Sequence, residues 1–467
     1  MSTRTEPGGL EPVATATPTP VAPRTARALQ KPGVTVNIWG HQVMLRGLRR
    51  QPTGIWRWLL LLGPGIIAGS AGNDAGGIAT YSQTGAQFGY ELLWVIVLMT
   101  VSLSVVQEMS ARLGAATGRG LLDLVRERFG LRLALLAAAV VLIANGGLII
   151  SEFVGIGAAT ELVGISKDIS IPVAVVVLWF LVVVGSYNRV EKILLLMTLA
   201  FFAYPVAAFL AHPNFGEVAH GMVVPSLKWN GDYVLILVAL MGTTLTPYQQ
   251  IFQQSATVEK GVARRHYGPE KIDTYVGMVF SNLMSAFIII ATAATLHVNG
   301  QTNIESAAQA AQALAPVAGQ AASLLFGVGL LGAALMAGGV LPLATAYSIG
   351  EVFGFRKGVN LSFHRARTFF IIFTALLVGG AAVALIPGVP VIQLLVGIQV
   401  LNGILLPVIL VFIMLLINDS RLVGDLKNGR VYNILGWATV VIITGSVLVL
   451  LGTQALSLVG INIFPGS

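Results

Sequence analysis

Apolar stretches long enough to cross a bilayer recur along this chain, each closed by a short polar turn, and their repetition sets the class of protein. They fall near residues 57–88, 91–113, 131–162, 171–187, 191–211, 233–257, 274–297, 320–353, 366–386, 390–417 and 432–455. The pattern predicts an all-α polytopic membrane protein with eleven spanning helices, carried by a transmembrane domain over residues 56–467. Residues 1–55 break the pattern. They are rich in Thr, Pro and Ala and lack the apolar core of about 7–15 residues that a secretory signal needs. They read as a disordered tail with a short amphipathic piece around Val43–Leu48.

Two of the apolar stretches are themselves interrupted. In the first, the small residues Gly69-Ser70-Ala71-Gly72-Asn73-Asp74-Ala75-Gly76-Gly77 carry a carboxylate where hydrocarbon belongs. An ionised Asp in mid-span costs about 2.5–3.5 kcal/mol, so Asp74 must face protein, water or an ion. In the sixth, Leu240-Met241-Gly242-Thr243-Thr244-Leu245-Thr246-Pro247-Tyr248-Gln249-Gln250 is broken by a proline. Pro247 lacks a backbone donor and clashes with the carbonyl four residues earlier, so carbonyls near Thr243 are released as ligands. Each break opens a set of five spans, about 57–211 and about 233–417, and leaves 432–455 as an extra helix. Paired broken helices at matching positions point to inverted repeats with a midplane binding site. The half-helix ending near Thr246 aims its negative dipole end at the region of Asp74, which suits a cation.

Composition agrees with the pattern. Hydrophobic residues make up 55% of the chain and charged residues 10%, and the mean hydropathy of +0.81 excludes an ordinary water-soluble domain. With no cysteine there is no thiolate site, and methionine is the one source of soft sulfur. Of the 28 Lys and Arg residues, only Lys167 and Lys228 fall in loops opposite the N-terminus. The positive-inside bias then predicts a multi-pass cell-membrane protein with a cytoplasmic N-terminus and an extracytoplasmic C-terminus. The net charge of +8 implies membrane lipids with anionic headgroups as partners, and it does not imply nucleic acid.

The second span ends in Gln107-Glu108-Met109-Ser110-Ala111-Arg112-Leu113-Gly114-Ala115-Ala116-Thr117-Gly118, which resembles the corresponding helix end of the natural resistance-associated macrophage protein (Nramp) metal transporters. Gly63-Pro64-Gly65 enters the first span as in that family, and Asp74 is similar to the aspartate of its Asp-Pro-Gly-Asn motif. Glu152 and Asn282 likewise resemble residues of its third and seventh spans. The resemblance runs over most of residues 57–455 and implies a LeuT-like fold, a 5+5 inverted repeat plus one extra helix, with helices 1 and 6 broken. It also implies a transporter of divalent metal cations working by alternating access, with a metal ion as substrate and no cofactor.

The departures from the family refine the expected substrate. Asp74-Ala75-Gly76-Gly77 has lost the family's asparagine at Gly77, and Thr246-Pro247-Tyr248 stands where the family has Met-Pro-His. Oxygen donors in a roomier pocket suit hard ions, and Mg²⁺ is usually bound with several waters retained. The pattern resembles the Nramp-related magnesium transporter branch, with Mn²⁺ kept as a second substrate. The expected ligands are the Asp74 carboxylate, with Ala71, Thr243 and Thr246 giving carbonyl or hydroxyl oxygens directly or through water. Gly77 and Tyr248 border them, and Gln393 best matches a pathway glutamine of the family. The family's proton route uses positions occupied here by Ile149 and Tyr248, and neither side chain exchanges a proton near neutral pH. Transport uncoupled from protons is therefore expected.

The remaining polar residues admit two readings each. Glu152 is an intramembrane carboxylate that either serves the pathway or pairs with Arg365 or Arg367 as a gate. Gln399 and Asn402 either line the pathway or join helices. Gln249, Gln250, Gln253 and Gln254 crowd the half-helix after Pro247 and suggest a wet vestibule. Histidines 41, 212, 220, 266, 297 and 364 form no zinc-type spacing, and with no nucleophile motif the chain does not read as an enzyme. Proton-coupled Mn²⁺ or Fe²⁺ transport and transport of an organic solute such as an amino acid are the alternatives, the second disfavoured because Asp74 would repel a carboxylate.

Overall fold

The computed structural model describes residues 33–38, 41–46, 73–185, 202–259, 261–262, 264, 267–357, 361 and 363–459. The chain divides into two units, residues 1–57 and 58–467. In the first, where the tail is expected, two strands Gly33–Ile38 and His41–Arg46 pair antiparallel, with Gly33 opposite Arg46 and Ile38 opposite His41. The run Val34-Thr35-Val36 supplies the β-branched residues that favour extended backbone.

The second unit is helical among its described residues. The helices that build the site are α1 (Ala75–Phe88), α2 (Leu93–Thr117), α3 (Leu121–Phe129) and α4 (Leu131–Glu161). They are followed by α5 (Gly231–Thr244), α6 (Pro247–Glu259), α7 (Tyr267–Thr292) and α8 (Ala322–Phe353). The chain then forms α9 (Arg367–Ala384), α10 (Val391–Ile417) and α11 (Arg430–Leu458). Eight segments among the described residues are long and apolar enough to span a bilayer, and they coincide with the expected second, third and sixth to eleventh spans. The first, fourth and fifth expected spans lie partly outside the described residues.

Packing pairs the helices in the reciprocal way that inverted repeats require. The half-helix α1 packs on α7, and its counterpart α6 packs on α2, while α4 packs along α8. The first pair belongs to span one of one repeat against span two of the other, and the second pair is the same relation with the repeats exchanged. The long α5–α10 contact depends on Gly242 and Gly403. A Cβ on Gly242 would run into the backbone of Gln399 and Gly403, and one on Gly403 would lie 2.7 Å from the Val238 carbonyl. Small residues let two backbones meet where lipid offers no hydrophobic drive. This crossing sets which face of α10 looks toward α1. Large apolar side chains such as Ile143, Val176 and Val441 are exposed on the outside, the surface expected where acyl chains replace water.

Candidate metal site

The described part of the first span starts its helix on its own carboxylate. Asp74 is the N-cap of α1, in extended conformation, and its Oδ1 accepts the Gly77 N–H at 2.6 Å. The first N–H groups of a helix have no intrahelical partner, so an aspartate at this position starts the helix and keeps its charge at the positive end of the dipole. A second carboxylate meets the same helix start: Glu152 of α4 accepts the Ala75 N–H through Oε2 at 3.3 Å. Asp74 is 2% exposed and Glu152 is fully buried. Neither makes an ion pair among the described residues, and the Glu152 Oε1 has no hydrogen-bond partner among them. The pairing of Glu152 with Arg365 or Arg367 does not form, because both arginines are exposed while Glu152 turns to the α1 backbone.

The break in the sixth span supplies oxygens opposite these carboxylates. α5 ends at Thr244, Leu245 is extended, and α6 starts at Pro247. The Thr243 carbonyl loses its helical donor because Pro247 has no N–H, and the Thr246 N–H turns to Gln249 Oε1 at 3.3 Å. The hydroxyls of Thr243 and Thr246 are buried without a hydrogen-bond partner among the described residues. A Cβ built on Gly77 would lie 3.0 Å from Asp74 Oδ1 and 3.1 Å from Thr243 Oγ1, so the two oxygens flank one methyl-sized position that glycine leaves open.

The third wall is α10. Gln399 donates through Nε2 to Asp74 Oδ1 at 3.4 Å, and Asn402 donates to Gln399 Oε1 at 3.1 Å. Asn73, beside Asp74, accepts from Ser285 of α7 at 3.0 Å, and Tyr81 meets Thr244 at 3.3 Å. The fold therefore brings together Asp74, Gly77, Thr243, Glu152 and, through Gln399, Asn402, while Thr246 lies in the turn after α5 with its N–H on Gln249. Tyr248 is buried within electrostatic reach of Asp74 and Glu152. Asn282 donates to Thr100 of α2 at 3.0 Å, one turn from Ser285, and Gln393 lines a cavity of about 570 Å³ with Gln83, Gln87 and Asp232. Ala71 lies outside the described residues. Gln399, not Gln393, is the glutamine at Asp74. The signal that separates them is the spacing of Gln399 and Asn402, one helical turn apart on one face.

The motif at the end of α2 does a different task. Glu108 is 1% exposed, pairs with Arg112 at 3.2 Å and accepts from the Tyr267 hydroxyl at 2.7 Å. Arg112 also donates to Asn428 and lies over the Tyr432 ring at 4.9 Å, which ties α2 and α7 to α11. A similar bracket closes the end of α8. Glu351 accepts the Leu122 N–H at the start of α3 and pairs with Lys357, which also reaches Asp123, each at 3.2 Å.

Chemically, the break region is a nest of carboxylate, hydroxyl, amide and carbonyl oxygens with no sulfur, thiol or ring nitrogen among the residues just placed there. Oxygen donors of this kind suit hard divalent cations.

The sequence matches the family described as natural resistance-associated macrophage protein-like over residues 65–453. It is 30% identical over 399 residues to the divalent metal cation transporter MntH of Klebsiella pneumoniae, covering 82% of this chain and 92% of that one. It is also 30% identical over 408 residues to the MntH of Erwinia tasmaniensis, covering 85% and 95%. The fold is similar to that of the Eremococcus coleocola manganese transporter, with a TM-score of 0.68 and 20% identity over 88% of this chain and 90% of that one. A nucleobase-cation-symport-1 family transporter shares the architecture at a TM-score of 0.52 and 15% identity, covering 87% and 94%.

Proposed function

The chain belongs to the natural resistance-associated macrophage protein-like family, and from that premise we propose that it carries divalent metal cations across the cell membrane by alternating access, favouring Mg²⁺ and accepting Mn²⁺. The observation that carries the reading is the space left by Gly77 between the start of α1 and the end of α5, flanked by the Asp74 carboxylate and the buried hydroxyl of Thr243. Asp74 supplies the charge. Thr243 and Thr246 supply oxygens directly or through retained water, and the Gln399–Asn402 pair orients Asp74. The absence of a methionine at Thr246 and of an amide side chain at Gly77 favours a hard, partly hydrated ion over one bound by sulfur.

Transport in this reading is not coupled to protons. Ile149 is an apolar packing residue set against Gly380 of α9, and Tyr248 replaces a titrating imidazole. With the N-terminus cytoplasmic, an inside-negative potential drives entry by roughly 4.6 kcal/mol per divalent ion per 100 mV, twice the single-charge figure. Proteoliposomes loaded with metal- and pH-sensitive dyes test both parts. Mg²⁺ entry that competes with Mn²⁺ and leaves the lumen pH unchanged is expected; entry of Mn²⁺ with no Mg²⁺ competition refutes the selectivity, and acidification that tracks metal entry refutes the uncoupling. Thr246→Met combined with Gly77→Asn is expected to move preference toward Mn²⁺.

One observation favours a second reading. Glu152 is fully buried and reaches the start of α1 beside Asp74, its Oε1 without a hydrogen-bond partner among the described residues, and this supports a role as proton carrier in a proton-coupled Mn²⁺ transporter. The lumen-pH measurement separates the two readings, and Glu152→Gln abolishes acidification in the second alone.

A further inference from the structure

Away from Asp74, the ends of α3, α10 and α11 line an open cavity of about 710 Å³. One wall is apolar, with Leu415 and Trp437 both exposed where acyl chains run. Tryptophan concentrates at the boundary between hydrocarbon and headgroups, and the cavity sits at that depth, beside the end of α10 and the first turns of α11. The other wall is polar and basic. Arg128 reaches it from α3, Arg421 from the one-turn helix Ser420–Val423 after α10, and Asn433 from the first turn of α11.

The hydrogen bonding leaves donors to spare. Arg128 pairs with Asp419 at 2.6 Å, and Asp419 also accepts the Arg421 N–H at 2.9 Å. That backbone N–H, together with Arg128, holds the Asp419 carboxyl below its ordinary range, so it stays ionised and opposes one of the two guanidinium groups. The guanidinium of Arg421 makes no ion pair among the described residues. Asn433 accepts on Oδ1 from Asn418 at 2.8 Å and from Asn428 at 3.1 Å, which leaves its own amide N–H groups to donate. The cavity thus offers one net positive charge and oriented N–H donors at headgroup depth, above an apolar floor.

We propose that this cavity is a binding site for an anionic phospholipid, its phosphate held by Arg421 and Arg128 with Asn433 donating, and its first acyl carbons lying along Leu415 and Trp437. Guanidinium groups at fixed spacing recognise phosphate oxygens through charge-assisted hydrogen bonds, and basic pockets between spans select anionic headgroups. The bound lipid joins α3 to α10 and α11, and α10 is the helix that carries Gln399 to Asp74.

The full-length chain, delipidated in detergent, provides the test by native mass spectrometry and thermal unfolding. Phosphatidylglycerol and phosphatidylcholine of identical chains are compared, with inorganic phosphate as a third arm. Wild type is expected to retain phosphatidylglycerol about fivefold over phosphatidylcholine and to unfold at a higher temperature with it, while inorganic phosphate produces no shift. The double variant Arg128→Gln with Arg421→Gln is expected to lose the preference. Arg356→Gln, at an exposed arginine outside the cavity, is expected to keep it. Equal retention of the two lipids by wild type overturns the site, as does a full preference surviving in the double variant. A shift reproduced by inorganic phosphate makes the cavity a bare anion site and overturns the lipid assignment.

Discussion

Two pairs of buried carboxylates obey opposite rules in this protein. Glu108 and Glu351 each have a cation within 3.2 Å, Arg112 and Lys357, and each is further held by a hydroxyl or a backbone N–H. Asp74 and Glu152 share the start of α1 and, among the described residues, receive only backbone and amide N–H donors. In the first pair the carboxylate is matched by a cation of the protein, and in the second no cation stands within ion-pair distance among the described residues. A buried charge without a counter-charge is expensive, and this difference is what supports the proposed role of Asp74 as the ion's ligand.

Substitution distinguishes the two rules. The largest effect is expected from Arg112→Leu, which strands Glu108 in the protein interior and should cost about 3–5 kcal/mol of stability, read as a lowered unfolding temperature in detergent. An unchanged unfolding temperature would show that the α2 cluster is no brace. Asp74→Asn comes next. The amide oxygen still accepts the Gly77 N–H, so the fold should hold while uptake of Mg²⁺ and Mn²⁺ in proteoliposomes falls at least about 100-fold, near 2.7 kcal/mol. Retained uptake would remove Asp74 from the ion's path. Gly77→Ala puts a methyl between Asp74 Oδ1 and Thr243 Oγ1 and is expected to weaken metal binding by about tenfold in isothermal titration, with little change in stability. Binding at wild-type strength would mean that the ion does not use that space. The smallest effect belongs to Gln399→Leu, which releases Asp74 from α10 and should weaken binding about threefold, because its donor sits at 3.4 Å and shares the carboxylate with a shorter bond from Gly77.

Much of this was legible in the chain. Asp74 stands out because a carboxylate in hydrocarbon is costly by itself, whatever surrounds it. The sixth-span break follows from Pro247, whose effect on the helix ladder is local. Other residues were legible by type and not by partner. Gln393 and Gln399 are equally polar on one helix, yet the close crossing at Gly242 and Gly403 turns Gln399 toward Asp74 and leaves Gln393 in another cavity. Asn282 and Ser285 sit one turn apart on α7, and only Ser285 reaches the break, through Asn73. Arg365 and Arg367 looked like partners for Glu152 until the start of α1 supplied a backbone N–H in their place.

By itself the sequence determined the number and placement of the spans it shares with the described helices, the break at Pro247, and the isolated carboxylate Asp74 at the start of α1. These follow from the cost of putting each residue in lipid and from local backbone chemistry, which add up along the chain. Which oxygens gather around Asp74, and which carboxylates have a cation of the protein beside them, was decided only when the helices packed. Those choices depend on the rotation and crossing of helices far apart in sequence, set by contacts such as Gly242 on Gly403 that no single segment contains.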